Sequence, residues 1–383
     1  MNKPKIIYVT TLSGTIRAFF IPQLKYLAHN GFDVTVICSN DDNLKTELGD
    51  EVKFYPINIP RGLSVIGTLK SIISLIKVFT YVKPDFVQYS TPNAAFCASI
   101  AAKCVQISIR NYHLMGFRYL GAHGFFGKVL KFIERITCNN STSIECVSKS
   151  NLELGIKEGI FNAKKATVVW NGSSGGVDLK RFDYSKRNQF RNEIRVKYGI
   201  SQEEFVFGFA GRITRDKGIN ELLSAFSRLK EARLMIMGEV ESAETLDEDL
   251  YKESMNNKQI IYTGRIKEIE RYFCALDVLI LPSYREGFGN VIIEAAAMGT
   301  PAIVSNIPGP IDAVLQDETA WVISPKNVDE LESAMKMIML TNYVQMGIKA
   351  HEFVKSCFNS EILCVKIYER KKELLIEQGR KTN

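Results

Sequence analysis

Short apolar runs of strand type alternate with helix-forming segments twice along this 383-residue chain, and no other feature limits its fold as much. KIIYVTTL (5–12), DVTVICS (33–39), DFVQYS (85–90), VQISIRNY (105–112), SIECVS (143–148) and ATVVW (166–170) form a first series. Helices are expected between them over about 16–30, 64–82, 94–103 and 126–138. FVFGFAGR (205–212), ARLMIMG (232–238), QIIYTGR (259–265), DVLILPS (277–283) and PAIVSN (301–306) form a second series, again with helices between. Strands this continuously apolar are buried on both faces, as in a parallel sheet covered by helices. The expected class is α/β: two Rossmann-like, doubly wound domains with ligands in a cleft at the carboxyl ends of the strands. Residues 171–204 are richer in Gly, Ser, Asp, Asn and charge than either series. They place the boundary near 175–178 and predict domains 1–176 and 177–383, each long enough to bury its own core.

Within the second series, DVLILPSYREGFGNVIIEAAAMGTPA (277–302) sets two carboxylates around a glycine turn that opens a helix. Pro282 stops the strand, and Gly299 and Pro301 stop the helix. Gly287 and Gly289 let the backbone approach a ligand closely, and a helix start after Asn290 attracts an anion such as a diphosphate. Glu286 stands in the loop as a hydroxyl acceptor, and Glu294 lies in the first turns of the helix. A ligand with phosphates in its middle and hydroxyls at both ends fits this layout, and a nucleotide sugar is such a ligand.

Hydrophobic content of 46% with 24% charged residues is ordinary for a globular chain. Lys70 and Lys77 interrupt the greasiest region, 65–82, so no membrane-spanning run is expected. The N-terminus turns straight into a strand and does not read as a signal peptide. The eight cysteines are scattered without a CxxC pair and read as buried thiols in a reducing compartment. The expected location is cytoplasmic. Charge is uneven: residues 1–178 hold 20 Lys and Arg against 12 Asp and Glu, whereas 179–383 hold 29 against 30. A basic first half expects an anionic partner. No nucleic-acid module or basic run is present, so nucleic acid is not expected. GFFGKVLKFIERIT (124–137) spaces Phe125, Phe126, Val129, Leu130, Phe132 and Ile133 with Lys128, Lys131 and Arg135 as an amphipathic helix. It suits peripheral contact with anionic lipid at the inner face of the membrane, or packing on its own sheet.

The 277–302 stretch resembles the donor-site signature of retaining glycosyltransferase family 4, with its two glutamates separated by seven residues. FVFGFAGRITRDKGINELLSAF (205–226), LMIMGE (234–239), IYTGRIKEIERYFCALDVLILPS (261–283) and GTPAIVSNIPGPIDAV (299–314) follow in that family's order. RNYHLMGFRYLG (110–121) and NGSSGGVDLKRF (171–182) are similar to the subgroup that builds capsular, O-antigen and exopolysaccharide repeat units. The resemblance implies the GT-B fold and a hexosyltransferase moving a sugar, with retention, from a UDP-linked donor to a polyprenyl-diphosphate-linked saccharide. It implies no cofactor beyond that co-substrate. Arg212 and Lys217, in GRITRDKG (211–218) with Gly211, would hold the diphosphate and stabilise its growing charge. Gly264, Arg265 and Ile266 would meet the nucleobase, Glu294 the ribose and Glu286 the sugar, while Gly287, Phe288, Gly289 and Asn290 would offer backbone N–H groups.

In TTLSGTIRAFF (10–20), Ser13, Gly14 and Thr15 precede a helix and either face the donor or form a plain connection. His113 is expected just after its strand, facing the cleft. It is either a catalytic, acceptor-contacting residue or a hydrogen-bonded structural one, because the subgroup's Tyr-x-Leu-x-Gly-x-Arg pattern (Tyr112, Leu114, Gly116, Arg118) does not ask for a histidine between. Arg118 is a candidate for an acceptor phosphate. His29, His123 and His351 carry no functional reading. No Asp-x-Asp stands at a strand end, Asp41–Asp42 and 247–249 read as solvated charge, and a metal is not invoked. The competing readings are a nucleotide-sugar epimerase of similar fold and a catalytically silent binding subunit.

Overall fold

Seven parallel strands make the first sheet: β1 Lys5–Val9, β2 Asp33–Cys38, β3 Val52–Pro56, β4 Phe86–Tyr89, β5 Ile109–Leu114, β6 Ser143–Cys146 and β7 Ala166–Val168, in the order β3-β2-β1-β4-β5-β6-β7. The computed structural model describes residues 3–62, 64–122, 124–241 and 246–382. Ile6, Ile7, Val9, Val34, Val36 and Val87 are fully buried, as strands covered on both faces must be. One face packs under the helices Val65–Val82, Pro92–Cys104 and Gly124–Asn140. The other packs under Ser13–Phe19, Ile21–His29 and Asp42–Leu48.

β3 and the helix before it are absent from the sequence reading, because VKFYP is short and polar at alternate positions. The expected helix over 16–30 is two helices. The expected strand over 105–112 begins at Ile109 and runs on to Leu114, which moves His113 inside β5.

Six parallel strands make the second sheet: β8 Phe205–Ala210, β9 Ala232–Met237, β10 Ile260–Gly264, β11 Val278–Leu281, β12 Ala302–Ser305 and β13 Ala320–Ile323, in the order β10-β9-β8-β11-β12-β13. β13 was not foreseen. Asp277, expected to open β11, lies just before it as a buried carboxylate. It accepts from Arg191 and Arg195 at 2.8 Å each and from the Val206 amide at 2.7 Å. Those bonds tie the helix Arg187–Lys197 to the sheet.

The chain divides by compactness into 1–176 with 360–383, and 177–359. The C-terminal stretch therefore departs from the expected domain 177–383. Helix Ser360–Thr382 buries Leu363, Cys364, Ile367 and Leu374, and sets Tyr368 edge-on to Tyr26 and Phe32. Lys371, fully buried, meets Glu145 of β6 at 2.6 and 2.9 Å. A buried charge needs its partner, and that requirement fixes which unit the helix joins.

Candidate functional site

β8 and β11 lie side by side, yet the chain leaves β8 toward β9 and leaves β11 toward β12 on the opposite side. Their following loops diverge at the topological switch point, where an open parallel sheet binds ligands. The loop after β8 holds Gly211, Arg212 and a single 3-10 turn, Arg215–Lys217, and ends on Gly218 at φ +72°. The loop after β11 runs from Pro282 to Gly289, whose φ of +89° starts the helix Asn290–Ala297 without a side-chain cap.

Several contacts join the two loops and tie the second of them to Glu221, in the helix Ile219–Phe226 that follows the first. Tyr284 N donates to Asp216 O at 2.9 Å, and Arg285 Nη2 meets Asp216 Oδ2 at 2.9 Å. Tyr284 Oη donates to Glu221 at 2.5 Å. At the centre Lys217 Nζ meets Glu286 Oε1 at 2.5 Å, and the same oxygen accepts from Ser283 Oγ at 2.9 Å. Both side chains are largely withdrawn from solvent, at 16% and 13% exposure, so their charges act through a medium less screening than water. Burial raises the Asp216 carboxyl, but the Thr214 hydroxyl and the Arg285, Lys217 and Arg212 charges outweigh it and hold Asp216 below its ordinary value.

Gly218 makes this approach possible. A Cβ there would stand 2.1 Å from the Pro282 carbonyl oxygen, and φ +72° disfavours any side chain. Gly218→Ala is expected to lower stability by on the order of 2 kcal/mol, read as a shifted urea midpoint, and to part Lys217 from Glu286. An unchanged midpoint would show that the loops shift freely.

The other sequence candidates in this unit do not all converge. Arg212 is exposed and pairs with Glu241, not with Glu286. Glu294 lies one turn into its helix, half-buried, so it does not complement the helix start. Burial raises its pKa to about 7, with Arg181 opposing and Glu270 adding to the rise. Phe288 points inward and packs edge-on against Phe358 at 5.3 Å, leaving only its backbone for a ligand. Gly264, at φ +68°, ends the edge strand β10, and Arg265 beyond it is exposed. Ser283, Tyr284, Asp216 and Glu221 were missed. Only their adjacency to Glu286 and Lys217 could have drawn attention to them.

Three candidates belong to the first unit. Gly14 is exposed in the opening turn of Ser13–Phe19. His113 is buried within β5, its Nε2 3.2 Å from Ser174 Oγ and its ring edge-on to Phe20 at 5.4 Å. The expected position after the strand is thus corrected. Burial lowers its pKa to about 4, with Glu145 opposing and Lys371 assisting, so the ring is neutral at pH 7. Arg118 Nη1 donates to Asn93 Oδ1 at 3.1 Å, and Asn93 in turn donates to the carbonyls of Pro60 and Gly62. Asp41 and Asp247, read as solvated charge, are helix caps that accept from Leu44 N and Leu250 N. His123 lies outside the described residues.

Residues 5–148 match the family model described as glycosyl transferase 4-like, and 190–355 match that of glycosyl transferases group 1. The chain is similar to the capsular polysaccharide biosynthesis glycosyltransferase CapM of Staphylococcus aureus, at 29% identity over 95% of each chain. It is also similar to the UDP-Gal:alpha-D-GlcNAc-diphosphoundecaprenol alpha-1,3-galactosyltransferase of Escherichia coli, at 28% identity over 87% of each. Among solved structures, a glycosyltransferase from Rickettsia africae superposes with a TM-score of 0.78 at 21% identity, covering 98% of this chain and 99% of that one. The two sheets, their order along the chain and these matches agree: the chain belongs to the group 1, family 4-like glycosyltransferases of GT-B fold.

Proposed function

We propose that this protein moves a sugar from a UDP-linked donor to a polyprenyl-diphosphate-linked saccharide in surface polysaccharide synthesis, with retention at the anomeric carbon. The observation that carries this reading is the Lys217–Glu286 pair at the switch point of the second sheet. On donor binding the pair would part: Lys217 would turn to the diphosphate, and Glu286, still accepting from Ser283, would take the sugar hydroxyls. Arg212 would add a second cation by exchanging Glu241 for phosphate. As the bond from the sugar to the diphosphate breaks, its electron pair goes to the departing phosphate oxygen, where these cations stabilise it. The acceptor hydroxyl then bonds to the same face of the sugar and gives its proton to that departing phosphate oxygen. Glu294 would meet the ribose and the backbone near Gly264 the base.

The relatives' names support the acceptor class. The Escherichia coli protein is named for a diphosphoundecaprenol acceptor and so is one from Campylobacter jejuni, while the Staphylococcus aureus protein is named for capsule synthesis. One relative is named for GDP-mannose, so the nucleotide is the point to test first. In a thermal-shift series, a UDP-sugar at a hundred times its dissociation constant should add about 2.7 kcal/mol. A shift with GDP-sugars alone would overturn the UDP assignment. Isomerised sugar from donor incubated alone would indicate an epimerase instead. Because Lys217 and Arg212 are assigned the charge that a divalent ion would otherwise neutralise, EDTA should leave transfer largely unchanged. Activity abolished by EDTA and restored by a divalent ion would remove that assignment.

A further inference from the structure

The helix Val65–Val82 of the first unit has two apolar faces. Ser64 caps it by accepting from Gly67 N, and its 18 residues include no acidic one. Ser71, Leu75 and Phe79, four residues apart, form a buried stripe, and the helix packs on its neighbour Pro92–Cys104. The face away from such a stripe is ordinarily polar. Here it carries Val65, Ile66, Leu69, Ile73 and Tyr81, which are 78%, 70%, 55%, 54% and 79% exposed. By length and composition the helix could cross a bilayer, which corrects the expectation that Lys70 and Lys77 break the run. Crossing would pull Leu75 and Phe79 out of the core of the first unit. An apolar helix held to its protein by one face and bare on the other is suited to lie along an interface.

The charge around that face selects the occupant. Over residues 52–133 the chain has ten Lys and Arg and a single acidic residue, Asp85. Asp85 is occupied by the Lys5 amide at 2.8 Å. The first unit as a whole holds 26 Lys and Arg against 15 Asp and Glu, and the second 23 against 27. Lys70 and Lys77 are exposed beside Leu69 and Ile73. The helix Gly124–Asn140, which also packs on Pro92–Cys104, exposes Phe125 and Phe132 with Lys128 and Arg135. Its Lys131, grouped with them by sequence, is turned to Glu158 at 2.6 Å. A second copy would bring like charges together, and a nucleic acid would lie against aliphatic side chains. A bilayer with anionic headgroups meets both the apolar stripe and the cations beside it.

We propose that the exposed face of Val65–Val82, with Lys70 and Lys77 beside it, is the surface by which this protein lies on an anionic phospholipid bilayer. This contact concerns the membrane itself and stands apart from the donor reading, since it needs no sugar. The test is flotation of the full-length chain with phosphatidylcholine vesicles containing about a third phosphatidylglycerol, against phosphatidylcholine alone. The parent should bind the anionic vesicles and be released by salt. Leu69→Gln with Ile73→Gln should weaken binding at least about tenfold, while the melting transition, governed by the buried stripe, stays cooperative and close to the parent's. Lys70→Gln with Lys77→Gln should weaken binding and flatten its salt dependence. Parent-like vesicle binding by the folded Leu69→Gln, Ile73→Gln variant would overturn the proposal. So would resistance of the bound parent to alkaline carbonate extraction, which marks a spanning helix, or a parent dimer abolished by the same substitutions, which marks a second copy. Transfer to a lipid-linked acceptor dispersed in detergent, measured alongside, separates the two readings: its absence in the parent would remove the transfer reaction proposed above and leave the vesicle result standing.

Discussion

Lys217→Ala and Glu286→Gln are each expected to lower sugar transfer by about a hundredfold or more, the scale seen when one preorganised group at a developing charge is removed. Lys217 is the cation that the second sheet brings to its switch point with little solvent around it, and Glu286 is the acceptor beside it. Removing Lys217 leaves Glu286 only the Ser283 hydroxyl among its described partners, so Lys217→Ala should also lose some stability. The double variant should recover that stability, because neither charge is then left alone, and should stay inactive. Turnover numbers with a lipid-linked acceptor, read beside urea midpoints, separate the two effects. Near-parental turnover in either single variant would end the donor-site assignment.

Lys371→Met is expected to cost about 3–5 kcal/mol of stability, the range for breaking a buried ion pair and leaving one charge uncompensated. Glu145 would be that charge. It lies within β6, and the Lys371 ammonium at 2.6 Å is its principal partner. Replacing both residues, Lys371→Met with Glu145→Leu, should be far less damaging than the single change. Burial raises the Glu145 carboxyl, but Lys371 and the neighbouring hydrogen bonds outweigh it and hold the group below its ordinary value. A carboxylate whose folded pKa is depressed contributes its stability above the unfolded value and loses it as pH falls through the folded one. The parent should therefore lose stability on acidification below about pH 4.5, and the Lys371→Met variant should show less of that dependence. A Lys371→Met midpoint equal to the parent's would show that the C-terminal helix is held by its apolar contacts alone.

The donor-site candidates were legible because they sit in short segments whose punctuation is local. Pro282 and Gly289 bracket one loop, and Gly211 and Gly218 the other; each glycine or proline records a backbone requirement within a few residues of the chemistry. His113 was misplaced for the opposite reason. VQISIRNY reads as a strand from its β-branched residues, but Val105 to Gln106 close the preceding helix, and pairing with β6 carries β5 on to Leu114. The strand starts four residues later and ends two residues later than the sequence pattern suggests, and the extension at its end takes the histidine into the strand. Arg212 and Lys217 looked equivalent in sequence. The 3-10 turn at Arg215–Lys217 and its bonds to Tyr284 and Arg285 aim only Lys217 at Glu286.

Two series of parallel strands, the division near residue 176, the family and the two loops that carry Lys217 and Glu286 could all be read from the order of residues. Each of these is written in periodicity, turn residues and charge within a span of about thirty residues, where chain geometry leaves few choices. Tertiary structure alone decided that Lys217 and Glu286, 69 residues apart, touch. It also decided that Lys371 returns across 226 residues to Glu145, and that the outer face of Val65–Val82 stays bare. Those outcomes depend on which strands become neighbours and which helix faces find a partner. No local pattern records them, because the same apolar stripe can be buried against a sheet or left for a membrane.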